Sequence, residues 1–469
     1  MKAKTKTNSR PFGVLDKFSY MMGDFGCNMV LTLANSYLLV FYTKVMGVPA
    51  GIIGTLFMLA RFVDAFTDMA VGRIVDTHTD RNGDRYRSWI AYFSLPLVIS
   101  SCLMYNYFLA DSAMAVKIVW LTVTYLLFGS VCYTAVSIPY GAMSAVVSDN
   151  PEDRTSLSTW RNMGSQIAGV VLGIVLPLVI YVKDENGNDV ASGPRFLLMA
   201  VTLGALALIG LLICWKWSVE RVHIADQKQE KEAGKSNGGK VLIACLKDRS
   251  LMTTILFGIF MNSAFSLFMT FNQYMFLDYF GNPQMSGLSS LIMFVSMIIC
   301  APFIKKLSSR VGKKELGIIG TALALASYAV MFITRVSNVA FYFVGVFAAF
   351  FGIGLLAMIN YAMMNDNIDN HYLESGDQVG GTVYALSGFT RKMAGAVTTG
   401  IGGWGLAWIH YDELVAVQTE AVRQSLFNLA MGLPLACFAL SLIFLFFYPL
   451  NKAKVAENVK RMEEMNRKQ

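Results

Sequence analysis

Long apolar stretches recur along the whole of this sequence, and they constrain the fold more than any other feature. A run of about 20 apolar residues crosses the roughly 30 Å hydrocarbon core of a bilayer as one helix. Of the 469 residues, 55% are hydrophobic and only 15% are charged, and the mean hydropathy is +0.49. A soluble domain of this size needs a more polar exterior. The sequence therefore predicts an all-α polytopic membrane protein.

We predict twelve transmembrane spans, which divide into two groups of six. The longest polar interval, Ser218–Ser250, lies between the sixth and seventh spans and carries charges of both signs. The predicted organisation is an N-terminal six-helix bundle at 1–217, a cytoplasmic linker at 218–250, a C-terminal six-helix bundle at 251–449 and a tail at 450–469. The spans are predicted at about 18–42, 50–75, 89–110, 116–146, 157–182, 194–217, 251–279, 284–304, 316–335, 338–363, 382–410 and 424–449.

The distribution of Lys and Arg among the loops predicts the orientation. Basic residues gather in the N-terminal segment, in the loops after the second and eighth spans, in the linker and in the tail. Two of the alternate loops, Asp111–Ala115 and Gly281–Gly287, contain no Lys or Arg. Because cytoplasmic loops carry the excess of positive charge, we predict that both termini are cytoplasmic. Residues 1–10 contain no apolar segment, so no cleavable signal peptide is expected.

The two halves of the chain also resemble each other. Two loops, at 73–85 after the second span and at 305–314 after the eighth span, are both basic and both contain a glycine. Matching loops at corresponding places are expected for two six-span repeats that rock about a central site. A simpler interpretation is that each loop is only a cytoplasmic anchor.

The remaining composition excludes several classes of function. The net charge is +8, but the basic residues form no single patch, so no nucleic acid partner is expected. Seven cysteines without CxxC spacing and four scattered histidines give no Cys/His metal cluster. The sequence has no nucleophile–base set and no phosphate loop, so we predict neither an enzyme nor an organic cofactor.

Two acids in the second span indicate a cation site. Asp64 and Asp68 are four residues apart within the apolar run Ile52–Ile74, so they share one helical face. An acid at the bilayer centre costs about 2.5–3.5 kcal/mol, and such acids mark ion paths. Arg61 is more simply explained as a clamp that pairs with one of them. Oxygen donors suit Na⁺, and a carboxylate also takes a proton. Three residues are predicted to add oxygens to the site: Asn28, Thr67 and Thr134.

Other polar residues in the spans indicate a substrate site. We favour a substrate-facing role for Arg161 and Lys392, whereas Arg391 fits that role and snorkelling to the membrane surface equally well. Asp24 either faces the cavity or pairs with a cation of a neighbouring span. Aromatic rings cover the apolar face of a sugar, although most aromatic residues in such a chain only pack. The candidate stacking residues are Tyr20, Tyr133, Tyr140, Trp160 and Tyr384.

Several ordered motifs resemble the glycoside–pentoside–hexuronide:cation symporter family of the major facilitator superfamily, which includes the melibiose permeases. They are Ser19–Asn28, Arg61–Asp68, Ser137–Gly141, Asp366–Asp369 and Tyr384–Lys392. The resemblance implies the major facilitator fold, two pseudo-symmetric six-helix bundles, and symport of a sugar with Na⁺ or H⁺ by alternating access in a bacterial inner membrane. It also implies a cation site at Asp64 and Asp68 with Thr134, and a sugar cavity at Arg161 and Lys392.

The chain departs from the melibiose permease pattern at the sugar site. Asn28 and Ser137 stand where that pattern has sugar-binding aspartates, and Gly141 stands where it has a stacking tryptophan. Loss of two carboxylates makes the cavity more positive, which favours an anionic glycoside such as a glucuronide or a sulfoquinovose-type sugar. Three alternatives stay open: a neutral pentoside or disaccharide as substrate, export or exchange of a sugar catabolite, and a sensor that does not transport.

Overall fold

The computed structural model describes residues 10–77, 84, 86–148, 150–221, 247–375, 380–415 and 417–468. The chain forms two compact units, one of residues 1–233 with 412–416 and the other of residues 234–411 with 417–469. Most of the linker (222–246), most of the first matched loop (78–83 and 85) and the N-terminal nine residues lie outside the described residues. The predicted four-part division and the predicted repeat therefore stay predictions.

Helices build the N-terminal unit, and one short hairpin interrupts them. The helices are α1 (Val14–Val40), α2 (Ala50–Thr77), α3 (Arg87–Met104), α4 (Met114–Leu126), α5 (Thr134–Val147), α6 (Pro151–Ile180) and α7 (Gly193–Trp217). The hairpin pairs β1 (Tyr181–Lys183) antiparallel with β2 (Asp189–Ala191), between α6 and α7. A π-helical segment, Leu127–Tyr133, joins α4 to α5, so that Met114–Val147 is one continuous span.

The described residues of the C-terminal unit form helices joined by short loops. Its helices are α8 (Arg249–Tyr274), α9 (Met285–Val311), α10 (Lys313–Ile333), α11 (Val339–Ser375), α12 (Gly380–Trp408), α13 (Glu420–Phe447) and α14 (Lys452–Lys468). Asp248 caps the first of them, because its Oδ1 accepts hydrogen bonds from the backbone N–H groups of Ser250 and Leu251.

Eleven helical segments among the described residues are long and apolar enough to cross a membrane. The prediction of an all-α polytopic membrane protein is therefore confirmed. The span predicted at 382–410 corresponds to α12, which is helical but is not one of the eleven. The number twelve accordingly stays a prediction.

Close contacts at glycines bring α6 and α7 against α1. A Cβ atom at Gly164 of α6 would lie 2.5 Å from the carbonyl oxygen of Met21, and one at Gly210 of α7 would lie 2.8 Å from that of Met22. Small residues allow such close approach of helix backbones in membranes. This packing places the beginning of α6, which carries Arg161, beside the middle of α1, which carries Asp24.

Candidate cation and sugar sites

The acids of α2 face the π-helical segment between α4 and α5. The hydroxyl of Ser130 donates a 2.5 Å hydrogen bond to Oδ1 of Asp64. On the next turn of α2, the hydroxyl of Thr134 lies 3.0 Å from Oδ1 of Asp68 and also 3.0 Å from the carbonyl oxygen of Gly129. Each carboxylate is therefore contacted by a hydroxyl from the same neighbouring span.

The π-helical segment explains how these oxygens come together. Such single-turn widenings of a helix occur frequently at functional sites. Here the widening lets the Thr134 hydroxyl reach the carbonyl oxygen of Gly129, five residues earlier. Gly129 also lies beside Asp64, because a Cβ atom at this position would be in ordinary van der Waals contact, 3.6 Å, with Oδ1 of Asp64.

Arg61 provides one positive charge near the two acids. Its NH1 atom lies 3.6 Å from Oδ2 of Asp64, and its NH2 atom donates a 3.1 Å hydrogen bond to Oδ1 of Asn35 on α1. These contacts agree with the predicted clamp. If all three side chains are ionised, Arg61, Asp64 and Asp68 leave one net negative charge. A monovalent cation would balance it, and the all-oxygen donor set suits Na⁺.

The predicted cation ligands do not all come together. Asp64, Asp68 and Thr134 share this region, but the hydroxyl of Thr67 donates to the backbone oxygen of Asp64 on its own helix, at 3.1 Å. The Asn28 amide nitrogen is bonded to Asp24 (below), and a role of the Asn28 oxygen in this group stays a prediction. Sequence reasoning missed Ser130. Its position four residues before Thr134 was the available signal, since it puts both hydroxyls on one face.

A second acid of the N-terminal unit, Asp24, is held by an arginine. Nε of Arg161 on α6 donates a 3.0 Å hydrogen bond to Oδ1 of Asp24. The amide nitrogen of Asn28 donates to Oδ2 of Asp24 at 3.0 Å and to its backbone oxygen at 2.8 Å. Of the two alternatives for Asp24, the structure favours pairing with a cation of a neighbouring span. The Arg161 side chain is 41% exposed and the Asp24 side chain 10%, so the arginine forms the more open side of the pair.

Tyr20 and Tyr140 stack on each other rather than standing open to a ligand. Their ring centroids are 4.6 Å apart, and each hydroxyl donates to the backbone oxygen of the other residue. Both residues are at most 2% exposed. Both rings are therefore enclosed in this structure, and the role of Tyr20 and Tyr140 in sugar binding stays a prediction. The guanidinium of Arg161 lies 5.2 Å from the centre of the Tyr140 ring, a cation–π distance that helps to orient it.

The pairing bears on the charge of the predicted sugar site. Loss of the two family aspartates is expected to make the cavity more positive, and Asp24 balances the charge of Arg161 within hydrogen-bonding distance. The positive residues outside this pair, Arg391 and Lys392, are exposed on α12 in the other unit. Ser137 is half-buried on α5, and the side chain of Tyr384 lies outside the described residues.

Arg391 lines a cavity of about 140 Å³ inside the C-terminal unit. The cavity lies between α8, α11 and α12. Among its polar lining residues are Thr254, Asn262, Asn360, Asn367, Ser387 and Thr390. Sequence reasoning left Asn262 and Asn360 without a role.

Many apolar helices, ionisable groups buried within them and a polar internal cavity define a membrane transporter. The fold agrees: the chain is similar to the solved D-xylose-proton symporter with a TM-score of 0.63, covering 93% of this chain and 98% of that one. At 14% identity, this likeness shows the fold alone. At the level of sequence, residues 19–452 match the MFS/sugar transport protein family, and the chain belongs to this family.

Two relatives over nearly the full length have names that refer to different sugars. The isoprimeverose transporter of Lactiplantibacillus pentosus is 29% identical, with 93% of this chain and 89% of the relative covered. The glucuronide carrier protein homolog of Escherichia coli (strain K12) is 27% identical, with 96% and 95% covered. The protein is thus a multi-pass sugar transporter of the major facilitator superfamily and not an enzyme, and its resemblance to the symporter family is confirmed.

Proposed function

We propose that the protein is a cation-coupled symporter that imports a glycoside by alternating access. The observation that carries this proposal is the pair of acids on α2, each contacted by a hydroxyl of the neighbouring span. Carboxylates within a membrane-spanning helix are costly and are typical of ion pathways. The coupling ion is Na⁺ or H⁺, and Asp64 and Asp68 bind it.

The geometry provides a physical basis for coupling. Without a cation, the net negative charge near Asp64 and Asp68 is poorly stabilised in a region of low dielectric constant. A bound cation balances the charge, and the hydroxyls of Ser130 and Thr134 can turn their oxygens toward it. Since these residues connect α2 to the α4–α5 span, cation occupancy alters the contact between two helices. By linkage, cation and sugar then tighten each other's binding by the same factor.

Two sugar classes are compatible with the polar groups, and we favour an anionic glycoside. Arg391 and Lys392 on α12 can donate charge-assisted hydrogen bonds to a carboxylate or a sulfonate. The relative named as a glucuronide carrier protein homolog supports this choice. A neutral pentoside or disaccharide is the second candidate. It is favoured by the Asp24–Arg161 pair, which carries no excess charge, and by the isoprimeverose transporter among the relatives.

We further propose that the protein lies in a bacterial inner membrane with both termini in the cytoplasm. The basic loops, linker and tail support this orientation through the positive-inside rule. Uptake into the cell follows from an inward cation gradient. The alternative of export requires the opposite net flux, which a rocking carrier can also perform.

Reconstitution into liposomes tests the proposed function. Uptake of labelled methyl glucuronide, methyl glucoside and isoprimeverose is followed with an imposed Na⁺ gradient, with a pH gradient, and with neither. We expect sugar to accumulate transiently above equilibrium with one of the two gradients. The same uptake with a Na⁺ gradient, with a pH gradient and with neither would contradict symport. Sugar that leaves the liposomes while the cation gradient is directed inward would indicate export or exchange.

A further inference from the structure

The tyrosine pair, Tyr20 of α1 and Tyr140 of α5, is held together by reciprocal contacts. The ring planes are 22° apart, and the 4.6 Å between the ring centroids is a stacking distance. The Tyr140 hydroxyl donates a 2.6 Å hydrogen bond to the backbone oxygen of Tyr20, and the Tyr20 hydroxyl donates a 3.2 Å hydrogen bond to that of Tyr140. Because both side chains are buried, α5 cannot slide or turn against α1 without loss of these contacts.

The Tyr140 ring also helps to fix the position of Arg161. The guanidinium lies 5.2 Å from the ring centre, while its Nε donates to Oδ1 of Asp24 at 3.0 Å. The ring packs so closely on α1 that a Cβ atom at Gly23 would lie 2.5 Å from Cε2 of Tyr140. A displacement of Tyr140 therefore changes the surroundings of Arg161.

The other end of α5 reaches the cation group. Thr134 is the first residue of this helix, and Tyr140 follows six residues later, about 9 Å along the helix axis. The Thr134 hydroxyl has two acceptors at the same distance, 3.0 Å, which are Oδ1 of Asp68 and the backbone oxygen of Gly129. One helix thus contacts both the cation group and the partner ring of the tyrosine pair.

The two acceptors give the contact at Thr134 two states. A hydroxyl has one hydrogen to donate, but its oxygen can also accept. Without a cation, donation to Asp68 bonds α5 directly to α2. A Na⁺ or a proton on Asp68 needs an oxygen lone pair instead, and the hydroxyl presents one when its hydrogen turns to Gly129. Cation binding therefore replaces a direct bond between the two helices with a bond through the cation.

Pro139 provides a place where α5 can bend. It lies between Thr134 and Tyr140, and it has no N–H group to donate to the carbonyl oxygen of Ala135. Sharp bends of helices occur preferentially at proline. A change at Thr134 can accordingly alter the direction of the next turn, which carries Tyr140.

We propose that Tyr140, supported by Tyr20, is a positioning residue that couples cation binding to sugar binding. When a cation replaces the direct bond between Thr134 and Asp68, α5 changes its bend and the Tyr140 ring moves with it. The guanidinium of Arg161 then moves into its sugar-binding position. The inference rests on the proposed function, because it requires a coupled cation and a sugar that Arg161 contacts.

Calorimetric titration of the full-length protein in nanodiscs tests the proposal. The probes are methyl β-D-glucuronide, methyl β-D-glucoside and isoprimeverose, and the one that wild type binds most tightly is used for the variants. Its affinity is measured with Na⁺ or choline, and at acidic and alkaline pH. In wild type we expect the coupling cation to tighten sugar binding about 5- to 150-fold, and in Tyr140→Leu less than about 2-fold.

The cation affinity measured without sugar is the readout that a general structural role would move. It should stay within about 2-fold of wild type in Tyr140→Leu, because the acids of α2 and their hydroxyl neighbours are unaltered. Since coupling is reciprocal, the sugar should tighten cation binding by the same factor as the cation tightens sugar binding. The two titrations therefore give independent values of one coupling factor for each variant.

Two further variants and a control separate positioning from general damage. Tyr140→Phe keeps the ring beside Arg161, and its coupling factor should stay within about 3-fold of wild type. Tyr20→Leu removes the supporting ring and should lower the factor in the same direction as Tyr140→Leu. Tyr328→Leu removes a buried tyrosine that packs on Phe438 in the C-terminal unit, and as the matched control it should leave the factor unchanged.

The outcomes separate this inference from the proposed function. If neither cation changes sugar binding in wild type, symport itself fails. If wild type shows the coupling and Tyr140→Leu keeps it, the inference is wrong while symport stands. If Tyr140→Leu weakens cation binding without sugar by more than about 2-fold, the tyrosine supports the fold rather than the coupling, and the inference is likewise overturned.

Discussion

Two groups of acids in the N-terminal unit show how neighbouring side chains decide what a carboxylate within a membrane helix does. Asp24 is paired with an arginine, since Arg161 donates to it at 3.0 Å. Asp64 and Asp68 accept hydrogen bonds from the hydroxyls of Ser130 and Thr134, and the guanidinium of Arg61 lies 3.6 Å from Asp64. The Asp24–Arg161 pair carries no net charge, whereas Arg61, Asp64 and Asp68 together carry one net negative charge when all three are ionised. We infer that only the second is a cation site.

The largest expected effect is from Asp68→Asn. Loss of one carboxylate removes the net negative charge near Arg61, and we expect cation affinity to fall about 10- to 100-fold or more. Accumulation driven by a gradient should disappear, while sugar exchange at equal concentrations continues. Proteoliposome uptake and counterflow measure the two activities. Asp111→Asn, which changes an acid in a loop, is the control. Concentrative uptake at the wild-type level in Asp68→Asn would contradict the assignment of Asp68 to the cation site.

Replacement of Asp24 tests the other side of the comparison. Asp24→Asn should leave the dependence of transport on the coupling cation unchanged, because this acid is already paired. It should change sugar affinity, since Arg161 loses the partner that orients it. A double-mutant cycle with Arg161→Gln should give a coupling of about 1 kcal/mol in sugar binding. A shift in the cation requirement of Asp24→Asn would place this acid in the cation site.

Ser130 offers a finer test within the cation group. Ser130→Ala removes one hydroxyl from Asp64 without a change of charge, so we expect a smaller loss of cation affinity, about 3- to 10-fold. The sugar affinity measured at saturating cation should stay the same. Ser327→Ala is a matched control, because the Ser327 hydroxyl donates to the backbone oxygen of Leu323 on its own helix, α10 of the C-terminal unit. Equal cation affinity in both variants would exclude Ser130 from the site.

The sequence predicted those features that depend on the bilayer and on helix periodicity, and it did not predict contacts between helices. Hydropathy predicted the helical spans because the thickness of the bilayer sets their length, and helix periodicity put Asp64 and Asp68 on one face. The partners across helices were not predictable in the same way. Pairing of Asp24 with Arg161 depends on the close approach of α1 and α6 at Gly164, and the Ser130 contact depends on a π-helical segment. Neither tertiary feature has a periodic signal in the sequence.

A fourth acid, Asp248, provides a structural reference and the smallest expected effect. Burial raises the pKa of Asp248, but hydrogen bonds from Ser250, His371 and the backbone outweigh it, so the pKa is lowered overall. Asp248→Ala should destabilise the protein by about 0.5–2 kcal/mol at neutral pH through loss of the α8 cap. The pKa of Asp248 is lower in the folded state than in the unfolded state. The stabilisation is therefore present at pH values above the unfolded-state pKa of about 4, and it is lost as the pH falls through the folded-state pKa. Thermal unfolding of variant and wild type should therefore converge on acidification.

Asp248→Ala should also leave the cation dependence of transport unchanged, which makes it a control for the membrane acids. A gap in unfolding temperature that widens on acidification would show that the Asp248 carboxylate is not the stabilising group. Altered cation coupling in this variant would show that acids outside the α2 group also take part.

Infrared difference spectroscopy of the carboxyl groups tests the cation site most directly. Spectra are recorded on addition of Na⁺ and on acidification, for wild type, for Asp24→Asn and for the double variant Asp64→Asn with Asp68→Asn. We expect a carboxylate band that responds to one of these cations in wild type and in Asp24→Asn, and its loss in the double variant. The same response in the double variant as in wild type would contradict a cation site on α2.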